Sequence, residues 1–224
     1  ASKPNNNYYT EALHYAGELT FEKEMYKEAL VYFSTLEKVG VTDEDLSFAM
    51  RGQMYCFNYQ SNHQSTIDYA LKVLSANDVK PNVMEDAYLF MGNSFKAMGL
   101  SEKAIFAYNE VLKITNNIKA AEAKYGICEI LFDQQKNNEC EQQIMEMVQQ
   151  KPSYDFWLAK AIILLGDNFV VAKDYFNAKH SLQSIIDNYS GPEEENIISI
   201  AKSKIEEILI LEKKELESEP EQEG

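Results

Sequence analysis

Positive charge is what this sequence has least of for its size: 21 Lys and Arg stand against 36 Asp and Glu, a net charge of −15 over 224 residues. A protein that holds nucleic acid by displacing counterions needs a basic footprint, so DNA and RNA are set aside as partners. Anionic membrane surfaces are disfavoured for the same reason, and excess acid alone serves solubility. Cysteine is scarce too. Cys56, Cys128 and Cys140 are odd in number and irregular in spacing, which is no disulfide framework. Cys128 and Cys140 fall on facing helices, so a bond between them stays open, although buried free thiols suit the pattern better. His14, His63 and His180 lie far apart, without metal-ligand spacing, and leave acid–base catalysis without its usual agent. No glycine-rich phosphate loop joins a strand to a helix, and no Ser-His-Asp set or defined carboxylate pair is present. The chain therefore reads as no enzyme, with no cofactor and no metal. Long apolar runs are missing: the longest, Phe156 to Ala172, is broken by Lys160, Gly166 and Asp167, where a bilayer crossing needs about 20 residues. The sequence begins Ala-Ser-Lys-Pro, without methionine or an apolar leader, and reads as processed or as a piece of something longer. A removed signal peptide would leave no trace.

What is present is periodic. Five of the nine glycines, Gly17, Gly52, Gly92, Gly126 and Gly166, are spaced 35, 40, 34 and 40 residues apart inside stretches that otherwise read as helix. A helical glycine costs about 1 kcal/mol relative to alanine. Recurrence at one phase asks for a packing reason, and the simplest is a neighbouring helix crossing backbone to backbone at each glycine. Twelve or fourteen residues later comes a small residue: Ala29, Thr66, Ala104, Cys140, Ala178. Phe33, Ala70, Tyr108, Ile144 and Leu182 follow four residues on, then Leu36, Val73, Val111, Met147 and Ile185. That +4, +3 rhythm is the buried face of a second helix. The longer gaps predict two extra residues in the turns of the second and fourth units. Pro81, Pro152 and Pro192 fall between units, where proline is tolerated. Thr42 with Asp45, and Asn82 with Glu85, are expected as helix N-caps. No segment alternates as a strand would.

The expected helices are 7–23, 26–38, 44–58, 65–75, 83–98, 102–114, 118–133, 138–150, 154–171 and 175–189. An eleventh, from 192 to about 216, opens at Pro192 and carries Ile197, Ala201, Ile205 and Ile208 on its apolar side as a lid on the last hairpin. The division is an N-terminal extension (1–9), a repeat domain (10–190, with units 10–43, 44–81, 82–117, 118–152 and 153–190), a capping helix (191–216) and a disordered acidic tail (217–224).

On these positions the chain resembles the tetratricopeptide repeat (TPR) family, in which units of about 34 residues form paired antiparallel helices. Tyr88, Met91, Gly92, Phe95, Gly99, Ala104, Tyr108 and Val111 carry the likeness best. The resemblance implies an all-α fold: a right-handed α-solenoid of about five TPR-like hairpins with a C-terminal capping helix. It also implies a non-enzymatic interaction scaffold that binds a peptide or helix of a protein partner in a concave groove lined by the first helices. Counted from each glycine, the groove residues are Tyr15, Met50, Gln53, Leu89, Phe90, Asn93, Lys96, Lys124, Ile127, Ile163 and Asp167, mostly apolar with a polar cluster at Asn93, Lys96 and Lys124. The family's carboxylate clamp finds only Asn93 and Lys160 in place, with Leu89, Lys124 and Leu164 off pattern, so a clamp of that type is rejected. Burial of the groove within the protein, by curvature or by the last helix folding back, stays open, as does a homo-oligomer. The residues from Ala178 to Glu195 also look like those of bacterial envelope repeat proteins. That gives the alternative reading, the repeat portion of a larger envelope protein involved in assembly or ligand binding, and favours the bacterial periplasm or envelope over the cytoplasm.

Overall fold

Residues 7–218 are described by the structure, a computed structural model. They form eleven helices: α1 (Asn7–Glu22), α2 (Tyr26–Val39), α3 (Asp43–Tyr59), α4 (His63–Leu74), α5 (Pro81–Ala97), α6 (Ser101–Ile114), α7 (Ile118–Asp133), α8 (Asn137–Gln149), α9 (Asp155–Val171), α10 (Tyr175–Asn188) and α11 (Glu194–Ser218). No strand occurs among the described residues, and no helix among them is long and apolar enough to cross a membrane. The chain divides after Lys119 into two compact units. Residues 7–9 belong to α1; the rest of the expected extension, and the expected tail beyond Ser218, lie outside the described residues.

One backbone device closes every hairpin. Glu24, Ser61, Gly99, Gln135 and Lys173 all take a left-handed conformation, with φ between 54° and 72°. Each donates its N–H three residues back, and the next residue donates five back, as in Gly99 to Lys96 and Leu100 to Phe95 at 2.9 and 2.8 Å. This pair of bonds is the Schellman motif. The residue after it is at once the N-cap of the second helix, so the turn has one length throughout. Its carbonyl accepts from the small residue in each unit: Ala29, Thr66, Ala104, Cys140 and Ala178. The two extra residues predicted in the second and fourth turns are therefore not there. They lengthen the first helix, because α3 and α7 end seven residues past their glycines and α1, α5 and α9 end five past theirs.

Counting from the turns shifts the register. Seven residues before them stand Gly17, Met54, Gly92, Cys128 and Gly166, so Gly52 and Gly126 are not equivalent to the other three. Nor do the helices touch backbone to backbone. A Cβ built on Gly17 would lie 2.5 Å from the Phe33 ring, on Gly92 2.5 Å from the Tyr108 ring, and on Gly166 3.0 Å from Leu182. Each glycine is a seat for a large side chain of the second helix. Where the seat is filled, the incoming side chain changes: Met54 shares its cluster with Ala70, and Cys128 shares its cluster with Ile144. In the second hairpin the larger seat is offset by a smaller incoming residue, as close packing requires; in the fourth, Cys128 meets an isoleucine no smaller than Leu182. Gly52 has a separate task. A Cβ built there would also lie 2.6 Å from the Phe33 ring, so that one ring is shared by its own hairpin and the next.

In the first unit α1, α3 and α5 approach one another directly, with α2 packed on α3 and α4 on α5. Between α2 and α4 the link is made by side chains: Glu37 accepts from Tyr69 at 3.0 Å and from Lys72 at 3.0 Å, and also from Gln53 of α3 at 2.7 Å. Burial alone would raise the Glu37 pKa; these bonds outweigh it and hold the carboxyl below its ordinary value. Thr42 caps α3 as expected, accepting from the Asp45 N–H at 3.0 Å, while Asp45 also meets His14 at 2.9 Å. Asn82 is no cap: Lys80 holds that place, Pro81 takes the first helical position, and Glu85 accepts from Asn117 at 3.0 Å. In the second unit α11 packs on α10 and α9 as α3 packs on α2 and α1. It continues the layer of first helices rather than folding back over it. Ile197, Ala201 and Ile208 face inward, and Lys204, Lys179 and Lys173 pair with Asp167, Glu212 and Glu215. Pro192 precedes α11 instead of opening it.

Gly92→Ala places a methyl against a ring that is fully buried and held by its hydroxyl on Asn93. It should cost about 1–3 kcal/mol in urea unfolding despite a helix gain of about 1 kcal/mol. Gly166→Ala, facing a leucine that can rotate, should change stability by less than about 1 kcal/mol in either direction. Because the folded Glu37 pKa lies below the unfolded one, its stabilisation is full above the carboxylate range and fades as pH falls through it. Glu37→Gln should lose about 1–3 kcal/mol at pH 7 and show a shallower loss of urea midpoint between pH 5 and 3 than the parent.

Candidate functional site

The inner faces of α1 and α3 enclose a pocket of about 300 Å³ lined by Glu18, Phe21, Glu22, Phe33, Phe48, Arg51, Gly52 and Tyr55. Its floor is aromatic because the first helices turn one ring after another to this side. Phe21 lies 6.0 Å from Tyr55 and 5.7 Å from Tyr59, and Tyr55 meets Phe90 of α5 edge-on at 5.4 Å. The Tyr55 hydroxyl donates to Asp86, and burial with that carboxylate raises its pKa. The Arg51 guanidinium stands 5.3 Å over the Phe48 ring. Among the described residues Arg51, Glu18 and Glu22 have no ion-pair partner, so the pocket offers two carboxylates, one guanidinium and an apolar floor.

A second pocket, of about 470 Å³, lies within the second unit between α7, α9 and α11. Tyr125, Phe156, Lys160, Ile163, Leu164 and Asp167 form one side, and Asn196, Ile197, Ile200 and Lys204 the other. The Lys160 ammonium lies over three rings, 4.5 Å from Tyr125, 4.9 Å from Trp157 and 5.7 Å from Phe156. Cation–π attraction of this kind is worth about 0.5–1 kcal/mol at an exposed site. Burial, then Glu129, raises the Tyr125 pKa.

The sequence-derived groove residues separate into two groups. Ile163 and Asp167 come together in the second pocket, Asp167 bound to Lys204 at 2.7 Å. Phe90 joins the aromatic row through Tyr55. Asn93 accepts the Tyr108 hydroxyl at 2.7 Å, Lys96 is half-buried and Leu89 is buried. Tyr15 is 80% exposed and lines neither pocket. The two-residue register shift moves the others off the row. Met50 packs into the core beside Met54, and Gln53, 2% exposed, turns its amide to Glu37 of α2. Ile127 is buried, and Lys124 donates to Gln150. The matching positions counted from the turns are Arg51 and Tyr55 in α3 and Tyr125 in α7, and these do line the pockets. The signal that would have found them is the turn, which in four hairpins carries no glycine to mark it.

Cys56, Cys128 and Cys140 are free and buried, and Cys140 donates its S–H to the Cys128 carbonyl at 3.5 Å. Burial pushes the Cys56 and Cys128 thiols up to about 12 and that of Cys140 to about 11. A thiol reagent at pH 8 should leave all three untouched in the folded chain and titrate three in denaturant.

No family model matches the sequence, and comparison with curated proteins finds no relative. Solved structures do match in fold. BtubC (BKLC) from P. vanneervenii aligns with a TM-score of 0.54 at 11% identity, over 99% of this chain and 96% of its own. The TPR domain of P58(IPK) aligns at 0.47 with 13% identity, over 92% of this chain; the chain spans 56% of that protein's length. A tetratricopeptide repeat protein from Parabacteroides merdae ATCC 43184 aligns at 0.45 with 11% identity, over 89% and 87%. The five paired helices with their shared turn, and the added helix that continues the inner layer, make this an all-α fold of tetratricopeptide-like hairpins.

Proposed function

We propose that the chain is a non-catalytic interaction scaffold and that the inner face of its first unit holds an extended or helical segment of a protein partner. The observation that carries this is the pocket between α1 and α3: an aromatic floor with Glu18, Glu22 and Arg51 left without ion-pair partners. Unpaired charges beside half-buried rings are poor structural filler and good recognition groups, since apolar area gives affinity and charge gives register. The Lys160 pocket of the second unit supports the same use, because the α11 wall leaves a volume of about 470 Å³ open.

The test is site-specific photo-crosslinking in the native host. A crosslinker at Glu22 should capture a partner, and one at Phe106, 60% exposed on α6, should not. Capture at Glu22 should fall at least tenfold in the double variant Arg51→Glu, Glu18→Lys while the circular-dichroism melting curve stays in place. Equal capture at both sites, or capture indifferent to the charge reversal, would remove the groove from the proposal.

A further inference from the structure

The cavity of about 470 Å³ between α7, α9 and α11 holds one charge that the rest of its wall leaves without a counter-ion. Lys160 is half-buried. Among the described residues its ammonium meets only rings, those of Tyr125, Trp157 and Phe156, at 4.5, 4.9 and 5.7 Å. Rings attract a cation but carry no opposite charge, and a charge drawn out of water is ordinarily paired. The other polar side chains of the wall all have partners within the chain. Lys204 holds Asp167 at 2.7 Å, the Asn196 amide donates to Glu193 at 3.1 Å, and the Tyr125 hydroxyl is bound to Glu129. What is left open is a single ammonium set in an apolar surface of Phe156, Ile163, Leu164, Ile197 and Ile200.

That inventory selects the ligand. A phosphoryl group carries about −1.5 to −2 at pH 7, so part of its charge would go unmatched unless Lys204 left Asp167. A chain end gripped by several donors at once fails on the same count, since one cation is available. A side-chain carboxylate brings one charge for one charge. The chain's net −15 opposes acidic ligands at long range, so a run of acids is disfavoured and a lone acid among apolar neighbours fits. Lys160 is also held in place by the three rings beforehand, so little freedom is lost when the carboxylate arrives.

From this we infer that the Lys160 cavity takes the side-chain carboxylate of a lone glutamate or aspartate in a partner segment, with a large apolar neighbour of that residue against Ile163 and Ile197. The inference rests on the reading of the chain as an interaction scaffold and names the residue type that the second unit recognises. Lys160 supplies the ion pair, its rings fix where the pair forms, and the aliphatic wall takes the apolar neighbour and keeps water from the pair.

Trp157 is the one tryptophan of the chain, so its fluorescence reports on the cavity. Two short peptides, acetylated and amidated so that neither end is charged, carry Leu-Glu-Phe or Leu-Gln-Phe between serines and are titrated against the full chain. The glutamate peptide should bind at least about tenfold more tightly than the glutamine peptide, and more weakly at about 300 mM than at about 50 mM salt. Lys160→Met should abolish the preference with the melting curve in place. Lys160→Arg, which keeps a stacked cation, should retain it, and with the salt series it still decides the matter if Lys160→Met does not fold. Equal binding of the two peptides, no binding at about 1 mM, or a preference that survives Lys160→Met overturns the proposal. So does 3-phenylpropionate binding as tightly as the glutamate peptide, because a free acid is then the occupant. The same holds for a glutamine peptide with a free C-terminus, which would make a chain end the occupant. Arg51→Glu should leave the titration as it is, so a failure in this cavity and a failure in the pocket of the first unit are told apart.

Discussion

Everything in this fold depends on one steric constraint, the mutual fit of two residues, one from each of two antiparallel helices, that fill the space between them. A glycine on the first helix admits Phe33 or Tyr108 on the second; a methionine admits only Ala70. The helix axes can then stay at similar separation in successive hairpins although the side chains differ. Interiors packed like organic crystals leave little room for any other solution. The shared left-handed turn holds the two positions in register, so the turn and the pair are two views of one constraint. Within each unit the first helices, and the pocket they line, inherit their spacing from that constraint.

The helices were legible from the sequence because their apolar rhythm is strong, and all eleven stand within two residues of expectation at each end. The reason behind the glycines was not legible. Glycine was read as a meeting of backbones, whereas it is the space a ring requires. Nor was the equivalence of Met54 and Cys128 to the three true seats. Met54 is matched by the small Ala70 on the second helix, and such an exchange is invisible to anyone aligning one position at a time. Gly52 and Gly126, two residues away, supplied a false phase.

That phase error explains part of what was missed in the candidate site. In α1, α5 and α9 the glycine is in register; there Phe90 stands in the aromatic row and Ile163 and Asp167 line the second pocket, while Tyr15 stands outside both pockets and Leu89 is buried. In α3 and α7 the count runs two residues early, which on a helix is more than half a turn. Gln53 then appears as a groove residue when its amide serves Glu37 in the layer behind. Arg51 and Tyr55, which carry the charge and much of the aromatic floor, drop out.

Phe33 occupies two joints at once, its ring seated against both Gly17 and Gly52. Melting either hairpin therefore strips one side of the same ring, and neither can open without weakening its neighbour. In a linear array whose stability is a sum of nearest-neighbour couplings, a shared keystone of this sort welds α1 to α3 into a single cooperative block. At Gly166 the glycine seats one rotatable leucine, and a Cβ there would find looser quarters. The N-terminal hairpins, whose inner face carries the aromatic pocket, are the ones that this shared ring couples.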